Sequence, residues 1–244
     1  MERFVEQALV LGTLDYGEAD RIVTLFTRGR GKLTAFAAGA RKSKRRFAGA
    51  LQPFTLVKAQ LVERAGTTFR LDGVDVERTF YGIRDELSLI ARALYCTELC
   101  RELVRDAEPH PELLALAVDY LGLLEQRRAG PTSLIAFELS ALALAGLMPR
   151  FDVCSLCAQD WAPRPRFDPE HGGAVCESCA LRSRVGVPVE ESTLSSLRAL
   201  QEGVRQPLPP EVRQKARDLL NLFIEHQLGR RLKSVEFMRQ VGLD

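Results

Sequence analysis

Two Cys-x-x-Cys pairs, Cys154-Ser-Leu-Cys157 and Cys176-Glu-Ser-Cys179, stand eighteen residues apart in this 244-residue chain. Each pair forms a tight knuckle whose turn presents two thiolates to one ion, and two knuckles complete the tetrahedral sulfur shell that zinc prefers. The segment between them is kept out of helix by Pro163, Pro165, Pro169, Gly172 and Gly173, while Phe167, Ala174 and Val175 suit a short hairpin. A redox pair of the thioredoxin type needs one Cys-x-x-Cys, so two matched knuckles favour metal. Four sulfurs leave no open position for water or substrate. The expected cofactor is therefore one structural zinc per chain, held by Cys154, Cys157, Cys176 and Cys179. With that shell closed, His171 between the pairs reads as an exposed turn residue. Cys96 and Cys100, one helical turn apart, read as small apolar members of a buried stripe.

Charge is distributed as unevenly as sulfur. From Arg21 to Val62 the chain runs for 42 residues without an acidic side chain, where average acidity would place about five, yet it carries ten basic ones. Excluding negative charge in this way is the footprint of a polyanion site, because each Lys or Arg that neutralises a phosphate releases condensed counterions. The candidate DNA-binding residues are Arg21, Arg28, Arg30, Lys32, Arg41, Lys42, Lys44, Arg45 and Arg46, with Lys58 the tenth cation of the stretch. The overall balance of +2 hides the asymmetry: residues 1–80 hold 14 Lys and Arg against 9 Asp and Glu, and the remainder 20 against 23. Two parts of opposite sign suggest two kinds of partner.

Apolar patterning divides the chain in the same place. Short β-branched runs at Ala8–Gly12, Ile22–Thr27, Leu33–Ala38, Phe54–Val62 and Thr67–Val76 predict five strands in under eighty residues, enough for a small closed barrel. The tract Arg41-Lys-Ser-Lys-Arg-Arg46 then falls on a loop between the third and fourth strands. From about Asp85 the period becomes helical, with helices predicted from Leu87 to Leu103, Pro111 to Arg127, about Ser133 to Leu147, Glu190 to Glu202 and Pro210 to Leu228. The third is apolar on nearly every side and belongs at the centre of a bundle. The expected architecture is an α+β, multidomain chain: a five-stranded barrel over 1–80, an all-α domain over 81–150 and 185–244, and a zinc module inserted at 151–184.

Catalytic constellations are sparse. His110, His171 and His226 form no nucleophile motif, and Gly29-Arg-Gly31-Lys32 lacks the spacing of a phosphate-wrapping loop and reads as a strand turn. Asp15, Glu18 and Asp20 are the best residual set for an enzyme, as magnesium ligands of a nuclease. The opening residues lack the pattern of a signal peptide, and the apolar stretch Leu134–Met148 is too short to cross a bilayer. A soluble, cytoplasmic protein without membrane partners is expected.

Leu14-Asp-Tyr-Gly-Glu-Ala-Asp-Arg-Ile-Val-Thr-Leu-Phe-Thr27, Gly31-Lys-Leu, Ala38-Gly-Ala-Arg-Lys42, Leu51-Gln-Pro-Phe54, His226-Gln-Leu-Gly229 and Leu232-Lys-Ser234 together resemble the RecO family of bacterial recombination mediators. The resemblance is tight over residues 9–57 and looser over the helices. It implies an oligonucleotide-binding (OB) barrel, a helical domain and a zinc module that some members keep. It further implies binding to single- and double-stranded DNA, annealing of complementary strands, and action with RecR to load RecA onto DNA coated by single-stranded DNA-binding protein (SSB). The carboxy-terminal tail of SSB would dock on the helical domain, and the protein would be associated with the nucleoid and would not be an enzyme. A zinc-ribbon RNA- or transcription-associated factor is the rival non-enzymatic reading, since barrels and zinc knuckles occur together there as well.

Overall fold

The computed structural model describes residues 2–43, 45–47, 49–63 and 69–243. Strands β1 (Arg3–Tyr16), β2 (Asp20–Thr27), β3 (Gly31–Ala37), β4 (Leu56–Glu63) and β5 (Phe69–Arg78) close into a barrel in the order β1-β2-β3-β5-β4. Closure depends on the length of β1, which pairs with β4 through Arg3–Leu9 and with β2 through Ala8–Tyr16. A bulge between Val10 and Gly12 turns it from one neighbour to the other. The seam between β3 and β5 is parallel and every other ladder of the barrel is antiparallel, which is the OB arrangement. Alternation sorts the side chains: Val23, Leu25, Leu33, Ala35, Val57, Leu61 and Leu71 point inward and are buried together.

The connection between β3 and β4 is more than a loose basic loop. Its Ala40, Phe47 and Leu51 join the barrel core, with Phe47 only 2 % exposed. An aromatic and two aliphatic residues thus anchor the basic tract from both flanks, a role that a run of cations conceals in the sequence.

By compactness the chain divides into Met1–Arg128 and Ala129–Asp244. The first unit adds to the barrel a short 3-10 turn, Tyr81–Asp85, and helices α1 (Leu87–Leu103) and α2 (Pro111–Glu125). The change from strand to helix patterning therefore falls inside this unit. Arg78 at the end of β5 reaches Glu125 of α2 at 2.7 Å and lies over the Phe80 ring. Cys96 and Cys100 are fully buried on α1.

The second unit is built around α3 (Ser133–Leu144), which packs against α5 (Glu191–Gln201) and α6 (Pro210–Leu228). Proline at the first turn starts α2 and α6, and Gly229, at φ +66°, ends α6 in a left-handed cap. Helix α3 buries most of its surface and with it Glu138, which is paired to the buried Arg217 of α6. Two short helices escape sequence patterning: α4 (Glu177–Ser183), which begins on the second cysteine knuckle, and α7 (Lys233–Gln240). The expected hairpin is present as β6 (Arg166–Asp168) and β7 (Gly173–Val175), extended by a two-residue β8, Val187–Pro188. This module is bound into the unit through Phe167, which stacks at 5.9 Å on Phe151 and meets Phe223 of α6 edge-on at 6.1 Å.

Candidate nucleic-acid interface and metal centre

The four knuckle cysteines converge. Their sulfurs lie within 4.8 Å of one another, and Cys157 and Cys176 are 3.8 Å apart. A tetrahedron with zinc–sulfur bonds of about 2.3 Å has sulfur–sulfur edges of about 3.8 Å, so the donor set fits that ion. Local backbone creates the convergence. Cys154 donates its N–H to the Gln159 carbonyl and accepts from Ala158 N–H, closing the first knuckle, while Cys176 stands at the N-terminus of α4. The surroundings of the sulfurs are polar. A hydrogen bond with the Ser178 hydroxyl pulls the Cys176 thiol down to about 6, and the Arg182 guanidinium donates to Cys179 Sγ at 3.1 Å. Burial works against the Cys154 thiolate, but hydrogen bonds from the backbone of Cys176, Leu156 and Cys157 together lower its pKa. At Cys157 a backbone hydrogen bond from Gln159 favours the thiolate, yet the crowding sulfurs of Cys154, Cys179 and Cys176 and burial push it up to about 12. Two of these thiols are thus eased toward the thiolate form in which cysteine binds a metal, and a divalent cation would favour that form at Cys157 as well.

His171 stands outside this set, exposed on the turn between β6 and β7, with Nδ1 on the Asp168 carboxylate. The chain also contains a His-x-Glu segment, His110-Pro-Glu112, of the kind that zinc deaminases place beside their cysteines. Here His110 Nε2 lies 3.7 Å from Glu108, and the four-cysteine set is the one group of potential metal ligands among the described residues.

The candidate phosphate contacts fall at opposite ends of the barrel. β2 spans seven steps, about 23 Å, between them. At one end Arg21 opens β2 opposite Ala37, where β3 runs into the basic tract. Asp15 bridges Arg21 at 2.9 Å and Arg41 at 3.5 Å, and Arg41 also donates to the Gly17 carbonyl at 3.0 Å. Arg46 donates to the Ala38 carbonyl and lies over the Phe47 ring. Arg41, Lys42, Arg45 and Arg46 are all exposed; Lys44 lies outside the described residues. This end is a concentrated cationic mouth.

The other end is different. Arg28 is exposed on the turn between β2 and β3, but Arg30 sits between Glu2 and Glu63, at 3.6 and 3.3 Å, and over the Phe4 ring. Lys32 donates to the Arg101 carbonyl at 3.0 Å and pairs with Asp106 at 3.4 Å. Gly31 between them, at φ +65°, is pressed so closely on the loop after α1 that an added Cβ would lie 2.1 Å from the Glu108 carbonyl oxygen. Arg30 and Lys32 thus hold the turn against the rest of the first unit. Lys58 pairs with Glu77.

Two of the three acidic residues Asp15, Glu18 and Asp20 are similarly occupied. Asp15 holds two arginines, and Asp20 accepts the Gly39 N–H at 2.7 Å. These carboxylates clamp the loop after β1 to the loop after β3.

Aromatic side chains sort cleanly. Phe26, Phe47 and Phe54 are buried, whereas Phe36 is half-buried on the outer face and meets the exposed Tyr16 edge-on at 5.9 Å. Tyr16 carries no signal in the charge pattern. Its place at the end of a strand that overshoots the barrel is what exposes it.

Comparison with known proteins is consistent along the whole chain. The family model described as recombination protein O N terminal matches residues 1–80, and that described as recombination protein O C terminal matches residues 84–236. The DNA repair protein RecO of Myxococcus xanthus is 66% identical over 244 residues, covering all of both chains. That of Anaeromyxobacter sp. (strain Fw109-5) is 51% identical over 99% of this chain and 97% of its own length, and that of Geobacter sulfurreducens 38% over 96% and 97%. With both family models matched in order over most of the chain and full-length relatives up to 66% identical, the chain belongs to the RecO family of DNA repair proteins.

Proposed function

We propose that this chain is a non-enzymatic recombination mediator in DNA repair that binds single- and double-stranded DNA, anneals complementary strands and, with RecR, assists RecA loading onto SSB-coated single strands. The observation that carries the reading is the cationic mouth, where Arg21, Arg41, Lys42, Arg45 and Arg46 gather on loops tied to a small barrel. Flexible cations on an anchored loop neutralise phosphates without occupying base edges, which suits annealing, since two backbones must approach while their bases stay free to pair. Arg28 and Lys44 add cations of the same kind, whereas Arg30 and Lys32 contribute through the fold.

Zinc at Cys154, Cys157, Cys176 and Cys179 serves stability, because four protein sulfurs complete its shell. The helical unit is the natural place for protein partners. Its cavity of about 220 Å³ between α6 and α7 is lined by Leu222, Ile224, Leu232 and Val235, with Arg231 and Arg239 at its edge beside Asp218 and Glu225, the latter paired with Arg231 at 3.1 Å. An acidic, apolar tail such as that of SSB would lay its apolar side chains on this floor and compete with Glu225 for Arg231. No helix among the described residues is long and apolar enough to cross a membrane, and we place the protein at the cytoplasmic nucleoid. The test is incubation of labelled single strands and duplex with magnesium: the protein should shift both and speed annealing of complements. Cleavage of either DNA would overturn the non-enzymatic reading.

A further inference from the structure

We infer that Tyr16 and Phe36 form a stacking platform for unpaired bases, which gives the barrel mouth a single-strand mode that duplex DNA cannot use. This rests on the DNA-binding reading above and specifies what that site recognises. Leu14, Ile22 and Phe36 lie in one row across β1, β2 and β3, and Tyr16 follows two residues after Leu14. One row further down, the outward pair is Thr24 and Thr34, the polar outer surface a barrel ordinarily shows. The barrel core is filled from the inside by other side chains, and this apolar row near the mouth is not part of it. Tyr16 is 56 % exposed and Leu14 65 %. The edge-on contact of Tyr16 with Phe36 fixes the tyrosine ring and leaves a face open.

What favours a nucleic-acid strand over an apolar protein surface is the charge immediately around the rings. Asp15, the residue before Tyr16, holds Arg21 and Arg41, and Gly17, the residue after it, accepts from Arg41. Arg41 thus reaches the backbone beside the tyrosine, while Asp15 and Arg21 alternate to the opposite face and Asp20 pairs across from Tyr16; Lys42 and Arg45 are exposed on the same loop as Arg41. Aromatic faces beside backbone-tracking cations are how barrels of this type hold single strands without reading sequence. In a duplex the base faces are already stacked on one another, so only the phosphate contacts remain.

The test uses the full chain and fluorescence anisotropy on a labelled single strand and a duplex of equal length at one salt concentration. Tyr16→Ala should weaken single-strand binding by about 5- to 150-fold, the loss of one stacked base, and change duplex binding by less than about twofold. Phe36→Leu should act in the same direction, and Tyr16→Trp should restore the single-strand affinity. An unaltered single-strand affinity in Tyr16→Ala, or an equal loss on both DNAs, would overturn the stacking role while leaving phosphate binding intact. Failure of the unaltered chain to bind either DNA would sink the underlying reading and this one with it.

Discussion

The buried pair between Glu138 of α3 and Arg217 of α6 offers the sharpest test of how the second unit is held together. Glu138 is 0 % and Arg217 5 % exposed, on two packed helices whose other buried residues, among them Ile135, Leu139, Leu142, Ala216 and Leu220, are apolar. Taking both ions out of water costs several kcal/mol each, and the attraction between them offsets most of that. Arg217→Met keeps the volume but leaves the Glu138 carboxylate buried without its guanidinium. Breaking such a pair costs about 3–5 kcal/mol, a large part of the stability of a unit of this size. In urea denaturation followed by circular dichroism the midpoint should fall accordingly with little change in slope, and Tm should drop by on the order of 10 °C. Glu138→Leu combined with Arg217→Met removes both charges and should recover stability to within about 1 kcal/mol of the natural chain, or exceed it. A loss below about 1 kcal/mol in the single variant, or a double variant as weak as the single, would show that an uncompensated buried charge is not what the pair prevents.

With zinc held by the four cysteines as proposed, Cys154→Ser or Cys176→Ser should release it, read by elemental analysis, and lower the melting temperature of the second unit, because the site's binding energy would also be folding energy. Gly31→Ala should destabilise the first unit by about 3 kcal/mol or more, since a left-handed residue and a backbone collision with Glu108 coincide; a thermal melt measures it. Asp15→Asn frees Arg21 and Arg41 from their shared carboxylate and removes a negative charge from the cationic mouth. DNA affinity should rise about threefold to tenfold at low salt, and less in about 0.3 M salt, by anisotropy.

Much of this architecture was legible because its signals are local. Period-two runs place the five strands, helix-starting prolines place α2 and α6, and the cysteine spacing places the metal centre. The hidden parts depend on long-range partners. Nothing near Arg30 or Lys32 in the chain reveals that they pair with Glu63 and Asp106. Glu138 in an apolar helix likewise has its counter-ion 79 residues away. Phe47 and Leu51 follow directly on the basic tract, and only the closed barrel shows that they seal its core. Helices α4 and α7 are too short for periodicity to register. Tyr16 lies beyond the expected first strand, Ala8–Gly12, and only the continuation of β1 to Tyr16 brings it against Phe36.

If the cationic mouth carries DNA, the salt dependence of binding must change when the mouth is neutralised. The decisive comparison is between the natural chain and one with Arg41, Lys42, Lys44, Arg45 and Arg46 replaced by alanine. Binding should weaken on every sequence alike, and the log-log slope should flatten by about 0.9 on duplex, and about 0.7 on single strands, for each phosphate no longer neutralised. Slopes that match between the two proteins on both DNAs would remove this mouth from the binding site.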